Sequence, residues 1–139
     1  MKRRDERAEK LREVPLFSNC SQDELRGLAN RMTPVTIKEG KALVQEGGVA
    51  RQFFVIEDGE AEVTRKGRVV AKLGPGDYVG ELALLSPARR NATVTAVSQI
   101  AAYALSPTEF ETALREAPRM TRKLLTGLAR RVQELDETV

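Results

Sequence analysis

Glu81 and Arg90 stand nine positions apart in GELALLSPARRNATV, Gly80 to Val94, among small and apolar residues. In such a setting a carboxylate and a guanidinium both lose hydration, so each needs a partner. Arginine presents a planar fork of N–H donors that matches an anion, whereas a carboxylate accepts hydrogen bonds from hydroxyls or from an arginine. Gly80 permits close backbone approach, and amides of the following turn that point inward form an anion-binding concavity. The pair therefore suits a ligand with an anion at one corner and a hydroxyl beside it. Outside this setting the same residues read plainly. Arg90 alone is a solvated surface arginine, and Glu81 alone is a sheet-edge solubiliser or an ion-pair partner of Arg51 or Arg89.

Composition limits the chemistry. At 139 residues the chain is the size of one domain and can remove roughly 68% of its unfolded surface from water. Its single cysteine, Cys20, forms no internal disulfide, which points to a reducing compartment. No apolar run approaches the ~20 residues that cross a bilayer, and the opening MKRRDERAEKLRE lacks the apolar core of a secretion signal, so the expectation is cytoplasmic with no membrane partner. The net charge is +3, and the basic residues of that opening are interleaved with Asp5, Glu6, Glu9 and Glu13, which is not the footprint of a direct DNA binder. The chain has no histidine, so the commonest general base and imidazole metal ligands are missing. An enzyme, for instance a phosphodiesterase, is set aside, and no cofactor or metal is expected.

The elements that must hold the pair follow from two changes of period. Ser21-Gln22-Asp23-Glu24 is a capping box, and Leu25, Leu28, Ala29 and Met32 follow at helical spacing, which predicts a helix over 23–31. A looser helix over 4–14 ends at Pro15. Over 34–105 short strands alternate with turn signals at Gly40, Gly47-Gly48, Asp58-Gly59, Lys66-Gly67 and GPGD. In EAEVTR, Ala61 and Val63 share one face against Glu60, Glu62 and Thr64, the mark of a half-buried antiparallel strand. Leu82 to Leu85 reads as a helical turn or loop ended by Ser86-Pro87. Ser106-Pro107-Thr108-Glu109 opens a helix over 107–116, and Pro118 opens a longer one carrying Leu125, Leu128, Val132 and Leu135. That stripe packs on the strands or on a second copy of itself. The expected fold is mainly β, an antiparallel eight-stranded β-roll or jelly-roll-like barrel over 34–105 with helices over 4–31 and 107–136, all one domain of residues 1–139.

A ribose cyclic phosphate meets the demand for an anion beside a hydroxyl. At this point the sequence resembles the cyclic nucleotide-binding domain family, whose members include catabolite activator protein and regulatory subunits of cyclic-AMP-dependent protein kinase. The family's phosphate-binding cassette is matched by Val79-Gly80-Glu81-Leu82-Ala83-Leu84 and Arg90-Asn91-Ala92-Thr93-Val94. The likeness extends to VPLF, EGG, FFVIEDGEAEV and LGPGDYVGE, covering about residues 11–135. It implies that Glu81 accepts from the ribose 2′-hydroxyl and that Arg90 pairs with the cyclic phosphate. The amides of Ala83 and Asn91 would complete the anion cradle, Gly80 and Leu82 would shape the turn, and Ala92 and Thr93 would lie close by. The base would rest against Val70 and Leu73 under a side chain from the last helix. Three departures stand out: Val79 replaces a common Phe; Asn91 replaces the Ala of cyclic-AMP-selective members and the Thr or Ser of many cyclic-GMP-selective ones; and Ala88 and Arg89 separate Pro87 from Arg90. The last makes Arg89 an alternative phosphate partner, and the Asn91 amide either bonds to guanine or points to solvent.

The resemblance implies a regulatory sensor for cyclic AMP, with cyclic GMP the alternative, that repositions its C-terminal helix. Its partner would be an effector protein or a second copy through that helix. The rival expectation is a structural or protein-interaction module of the same fold that no longer binds nucleotide. The chain stops at Val139 without a further helical pair or room for a catalytic domain, so it reads as a stand-alone sensor or as an excised part of a larger protein.

Overall fold

The computed structural model describes residues 2–49, 52–86 and 89–135. The chain divides into two compact units, a strand-rich one over residues 32–107 and a helical one made of the segments up to Arg31 and from Thr108 onward.

The strand-rich unit holds eight antiparallel strands in two four-stranded sheets. The strands are β1 (Thr33–Ile37), β2 (Ala42–Val44), β3 (Phe53–Asp58), β4 (Ala61–Arg65), β5 (Arg68–Leu73), β6 (Tyr78–Val79), β7 (Thr93–Ala96) and β8 (Ile100–Leu105). One sheet runs β1-β8-β3-β6 and the other β2-β7-β4-β5. This is the eight-stranded roll expected from the turn spacing, rather than a closed barrel. The alternation in EAEVTR holds: Ala61 is buried and Val63 packs against a core of Ile56, Val79, Val94, Ala96, Ile100 and Ala102. The buried Ile and Val side chains of that core each contribute roughly 1.5–3 kcal/mol. The two-residue β6 is too short to show a period, and only its pairing of Phe54 with Val79 and Val55 with Tyr78 reveals it. Register shifts interrupt β2/β7, β3/β8 and β4/β5, so the strands bend as a roll requires.

In the helical unit, α1 (Lys2–Arg12) leads to a 3-10 turn, Pro15–Phe17, and then to α2 (Gln22–Asn30). The capping box closes as expected: the Ser21 hydroxyl accepts from the Glu24 amide at 3.2 Å, and the Glu24 carboxylate accepts from the Ser21 amide at 2.8 Å. After α3 (Pro107–Glu116) comes α4 (Pro118–Leu135). Phe17 and Phe110 meet edge to face at 6.3 Å. Arg31 bonds to Glu109 at 3.0 Å and to Glu116, and Lys123 bonds to Glu24 at 2.7 Å.

The face of α4 that packs within its unit differs from the expected stripe. Met120, Leu124 and Gly127 are buried, whereas Leu125, Val132 and Leu135 are exposed by 61%, 63% and 82%. The cause is a close helix approach. A Cβ on Gly127 would stand 3.3 Å from the Pro15 carbonyl and 3.4 Å from that of Leu16, so absence of a side chain selects this face. Hydrophobic periodicity does not register a glycine.

Candidate functional site

Strand β6 ends at Val79, and Gly80 turns the chain with φ of 88° into a 3-10 turn, Glu81–Leu84. A residue with a side chain is disfavoured there on two counts. The dihedral lies in the left-handed region, and a Cβ would collide with Nη2 of Arg90 while lying 2.8 Å from the Gln52 carbonyl oxygen. Pro87, Ala88 and Arg51, to which the sequence reading gave turn and pairing roles, lie outside the described residues. The chain is described again at Arg89, which bridges Val49, and it enters β7 at Thr93.

These turns bring the two charges together. Gly80, Glu81, Leu82, Ala83, Ser86, Arg89, Arg90 and Asn91 line one cavity of about 250 Å³. Glu81 is only 8% exposed, the one charged side chain among the described residues to be buried. Arg90 is half-buried, its Nη2 donates to the Gln52 carbonyl at a long 3.3 Å, and its buried Nε has no acceptor among the described residues. Burial pulls the Arg90 guanidinium below the usual arginine range, while the carboxylate of Glu81 works in the opposite direction. A desolvated cation with an unused donor is an unfavourable arrangement that an anion would relieve. Arg90 also lines a second cavity of about 560 Å³ along β2, Gln52 and Phe54.

Six of the eight expected site residues line the smaller cavity: Gly80, Glu81, Leu82, Ala83, Arg90 and Asn91. Ala92 is buried and Thr93 is half-buried with its hydroxyl accepting from the Glu46 amide at 2.9 Å; neither is among the described lining residues. The Ala83 amide departs from the role expected of it. It donates to the Gly80 carbonyl at 3.0 Å, closing the 3-10 turn. Val70 is 52% exposed on the edge strand β5 and Leu73 packs against the roll core; neither lines either cavity. Ser86 and the Gln52 carbonyl were missed. Ser86 carried only a turn signal, and a main-chain carbonyl carries no signal of residue type. Arg89 lines the cavity next to Arg90, and its Nη1 donates to the Gly47 carbonyl at 2.9 Å.

A two-sheet roll that holds a half-buried arginine and a buried carboxylate in the wall of one cavity has the chemistry to suit an anion flanked by a hydroxyl. Among the described residues there is no group of side chains able to hold a metal ion, and no helix is long and apolar enough to cross a membrane. The chain belongs to the cyclic nucleotide-binding domain family, whose model matches residues 34–117. This is a ligand-binding, regulatory family rather than a catalytic one.

Among curated proteins, the chain is 42% identical over 103 residues to a cAMP-dependent protein kinase regulatory subunit of Yarrowia lipolytica; the match covers 73% of this chain and 28% of that protein. The chain thus spans under a third of that relative's length. Among solved structures, it is similar to the N-terminal domain of a transcriptional regulator from Streptomyces coelicolor A3(2), with a TM-score of 0.84 and 30% identity over 92% of this chain and 95% of that one. It is also similar to the Thermus thermophilus catabolite activator protein, with a TM-score of 0.70 and 27% identity over 90% of this chain and 61% of that one.

Proposed function

We propose that this chain binds a cyclic nucleotide in the cassette, cyclic AMP ahead of cyclic GMP, and serves as the sensor of a regulatory system. The observation that carries the reading is Arg90: a half-buried guanidinium with an orphaned Nε, sharing one cavity with the buried Glu81. A cyclic phosphate fits that donor, and its charge replaces the hydration that Arg90 has lost. The 2′-hydroxyl of the same ring is a donor for Glu81. The main-chain amide of Asn91 is a further donor for the phosphate, and Arg89 adds a second cation at the cavity wall. The preference for cyclic AMP rests on the kinase regulatory subunit named above. Asn91 is exposed, with its main-chain carbonyl accepting from Arg65 Nε at 3.1 Å. Its side-chain amide is therefore the group through which a guanine preference would arise.

No general base and no metal are part of this reading, so the output is a change of state rather than a product. Ligand contacts shift a protein between states only where they differ between them. We place the output in the helical unit, acting on an effector protein. Backbone amide spectra of residues 107–135 with and without nucleotide test that step, and identical spectra refute it.

The binding test is calorimetric titration with cyclic AMP and cyclic GMP up to millimolar concentration. Arg90→Ala removes one partner of a desolvated charge pair, a loss of about 2–5 kcal/mol or roughly 30- to 5,000-fold in affinity. Absence of heat with either nucleotide refutes the reading. A second reading, association through α4 without nucleotide, is favoured by the exposure of Leu125, Val132 and Leu135. Light scattering on the ligand-free protein separates it, since only this reading requires an assembly that nucleotide leaves unchanged.

A further inference from the structure

The main chain of Arg90 hangs on a short turn in another part of the sequence. Gly47 donates its amide to the Arg90 carbonyl at 2.8 Å, and the Arg90 amide donates to the Gly48 carbonyl at 2.8 Å. Arg89 adds its Nη1 bond to the Gly47 carbonyl at 2.9 Å. Residues 46–48 thus set where the phosphate arginine stands, and they have little regular structure of their own to fix them.

Glu46 supplies what fixes that turn. Its amide donates to the Thr93 hydroxyl at 2.9 Å, at the start of β7 and three residues past Arg90. Its carboxylate Oε1 accepts from the Lys66 amide at 3.1 Å. Lys66 sits at the tip of the β4–β5 hairpin with φ of 52°, the one non-glycine residue among those described with left-handed backbone, so its amide direction is unusual and well matched by a side-chain acceptor. From the same hairpin, Arg65 Nε donates to the Asn91 carbonyl at 3.1 Å. The arm carrying residues 89–93 is thereby held from two sides, and Glu46 belongs to both.

We propose that Glu46 is a positioning residue for the phosphate arginine: joined to the Thr93 hydroxyl and the Lys66 amide, it clasps the turn on which Arg90 is hung. It sets affinity for the cyclic phosphate without touching the nucleotide. The role rests on the cyclic-nucleotide reading above. The Thr93 hydroxyl accepts from the Glu46 amide and keeps its own proton to donate, so the Glu46 variants, which alter no expected ligand contact, are the ones that isolate the clasp.

The test uses the full chain and cyclic AMP. Glu46→Ala and Thr93→Val each remove one end of the clasp, and each is expected to weaken cyclic AMP binding about five- to twentyfold. Glu46→Gln keeps an acceptor oxygen and Thr93→Ser keeps the hydroxyl, so both should bind within about twofold of the parent, a rescue that general loss of packing would not give. In the ligand-free protein, hydrogen exchange at the Arg90 amide should accelerate in the two disruptive variants and not in the two conservative ones. Wild-type affinity in both disruptive variants overturns the proposal, as does a Glu46→Gln protein that binds as poorly as Glu46→Ala. Should Glu46→Ala fail to fold, Thr93→Val breaks the clasp from the other side. Should the parent bind no nucleotide, the functional reading falls by itself, and the Arg90 amide decides the clasp: faster exchange confined to residues 46–48 and 89–93 upholds it, and unchanged protection overturns it.

Discussion

Gly80→Ala adds a single methyl group at the point where fold and site meet, and the structure gives its cost in two parts. At φ of 88° an L-residue carries left-handed strain of about 1–2 kcal/mol. The new Cβ would also lie 2.8 Å from the Gln52 carbonyl oxygen, a main-chain atom on the approach to β3 that moves only with its strand. Relief of such overpacking costs about 1–3 kcal/mol, giving a total of about 2–5 kcal/mol in stability. The Arg90 guanidinium is the end of a flexible side chain and yields more readily, but yielding removes it from the place where it meets an anion. Cyclic AMP affinity should therefore fall at least about tenfold in protein that is still folded, since a misplaced charge-assisted bond loses more than 1.4 kcal/mol. Urea unfolding followed by calorimetric titration at a temperature where the variant is native separates the two losses. Gly40→Ala is the control: Gly40 has φ of 86° but nothing within 4 Å of a Cβ, so it should show the strain alone and unchanged affinity. A folded Gly80→Ala protein with parental affinity would refute the placement of Arg90 against Gly80, and a stability loss no larger than that of Gly40→Ala would refute the clash.

Three further outcomes are expected. Glu81→Ala should weaken cyclic AMP by about 1.5–3 kcal/mol, less than Arg90→Ala, and 2′-deoxy cyclic AMP should lose nothing more against that variant, as titration of both ligands would show. Burial by itself would raise the Glu24 carboxyl, but hydrogen bonds from Lys123 and the Ser21 amide outweigh it and hold it below the usual range. A depressed folded value means that Glu24 stabilises the native state above its unfolded value of about 4.5 and that this contribution disappears as pH falls through the folded value. Lys123→Met should therefore flatten the acid limb of the stability curve below that pH, read by urea midpoints from pH 3 to 7. Burial, then the nearby Glu24, pushes the Cys20 thiol up to about 11, so the folded protein at pH 8 should resist a thiol-specific disulfide reagent that labels it promptly in denaturant.

What was legible in the sequence was whatever residue type encodes directly. Capping boxes name their own helices, and α2 and α3 begin where Ser21 and Ser106-Pro107 place them. Turn glycines divide the strands of the roll, and the spacing of Glu81 and Arg90 foretold a shared cavity. What escaped was carried by main-chain atoms and by absent side chains. The Gln52 carbonyl that receives Arg90 would be similar with another residue at that position, and although Gly47-Gly48 read as a turn, their residue type does not show that their peptide groups hold the main chain of Arg90. Gly127 orients α4 by lacking a side chain, so Leu125, Val132 and Leu135 face outward, against the expectation that the stripe packs on the strands. The Ala83 amide illustrates the same point at the site, because a 3-10 turn consumes that donor where an open loop would leave it for the ligand. On the proposed reading, recognition therefore depends on two kinds of determinant. The charges that would meet a phosphate and a hydroxyl are written in Arg90 and Glu81, whereas their aim would be set by peptide groups of the 46–48 turn, where substitutions at Glu46 or Thr93 would act without altering any residue that faces the cavity.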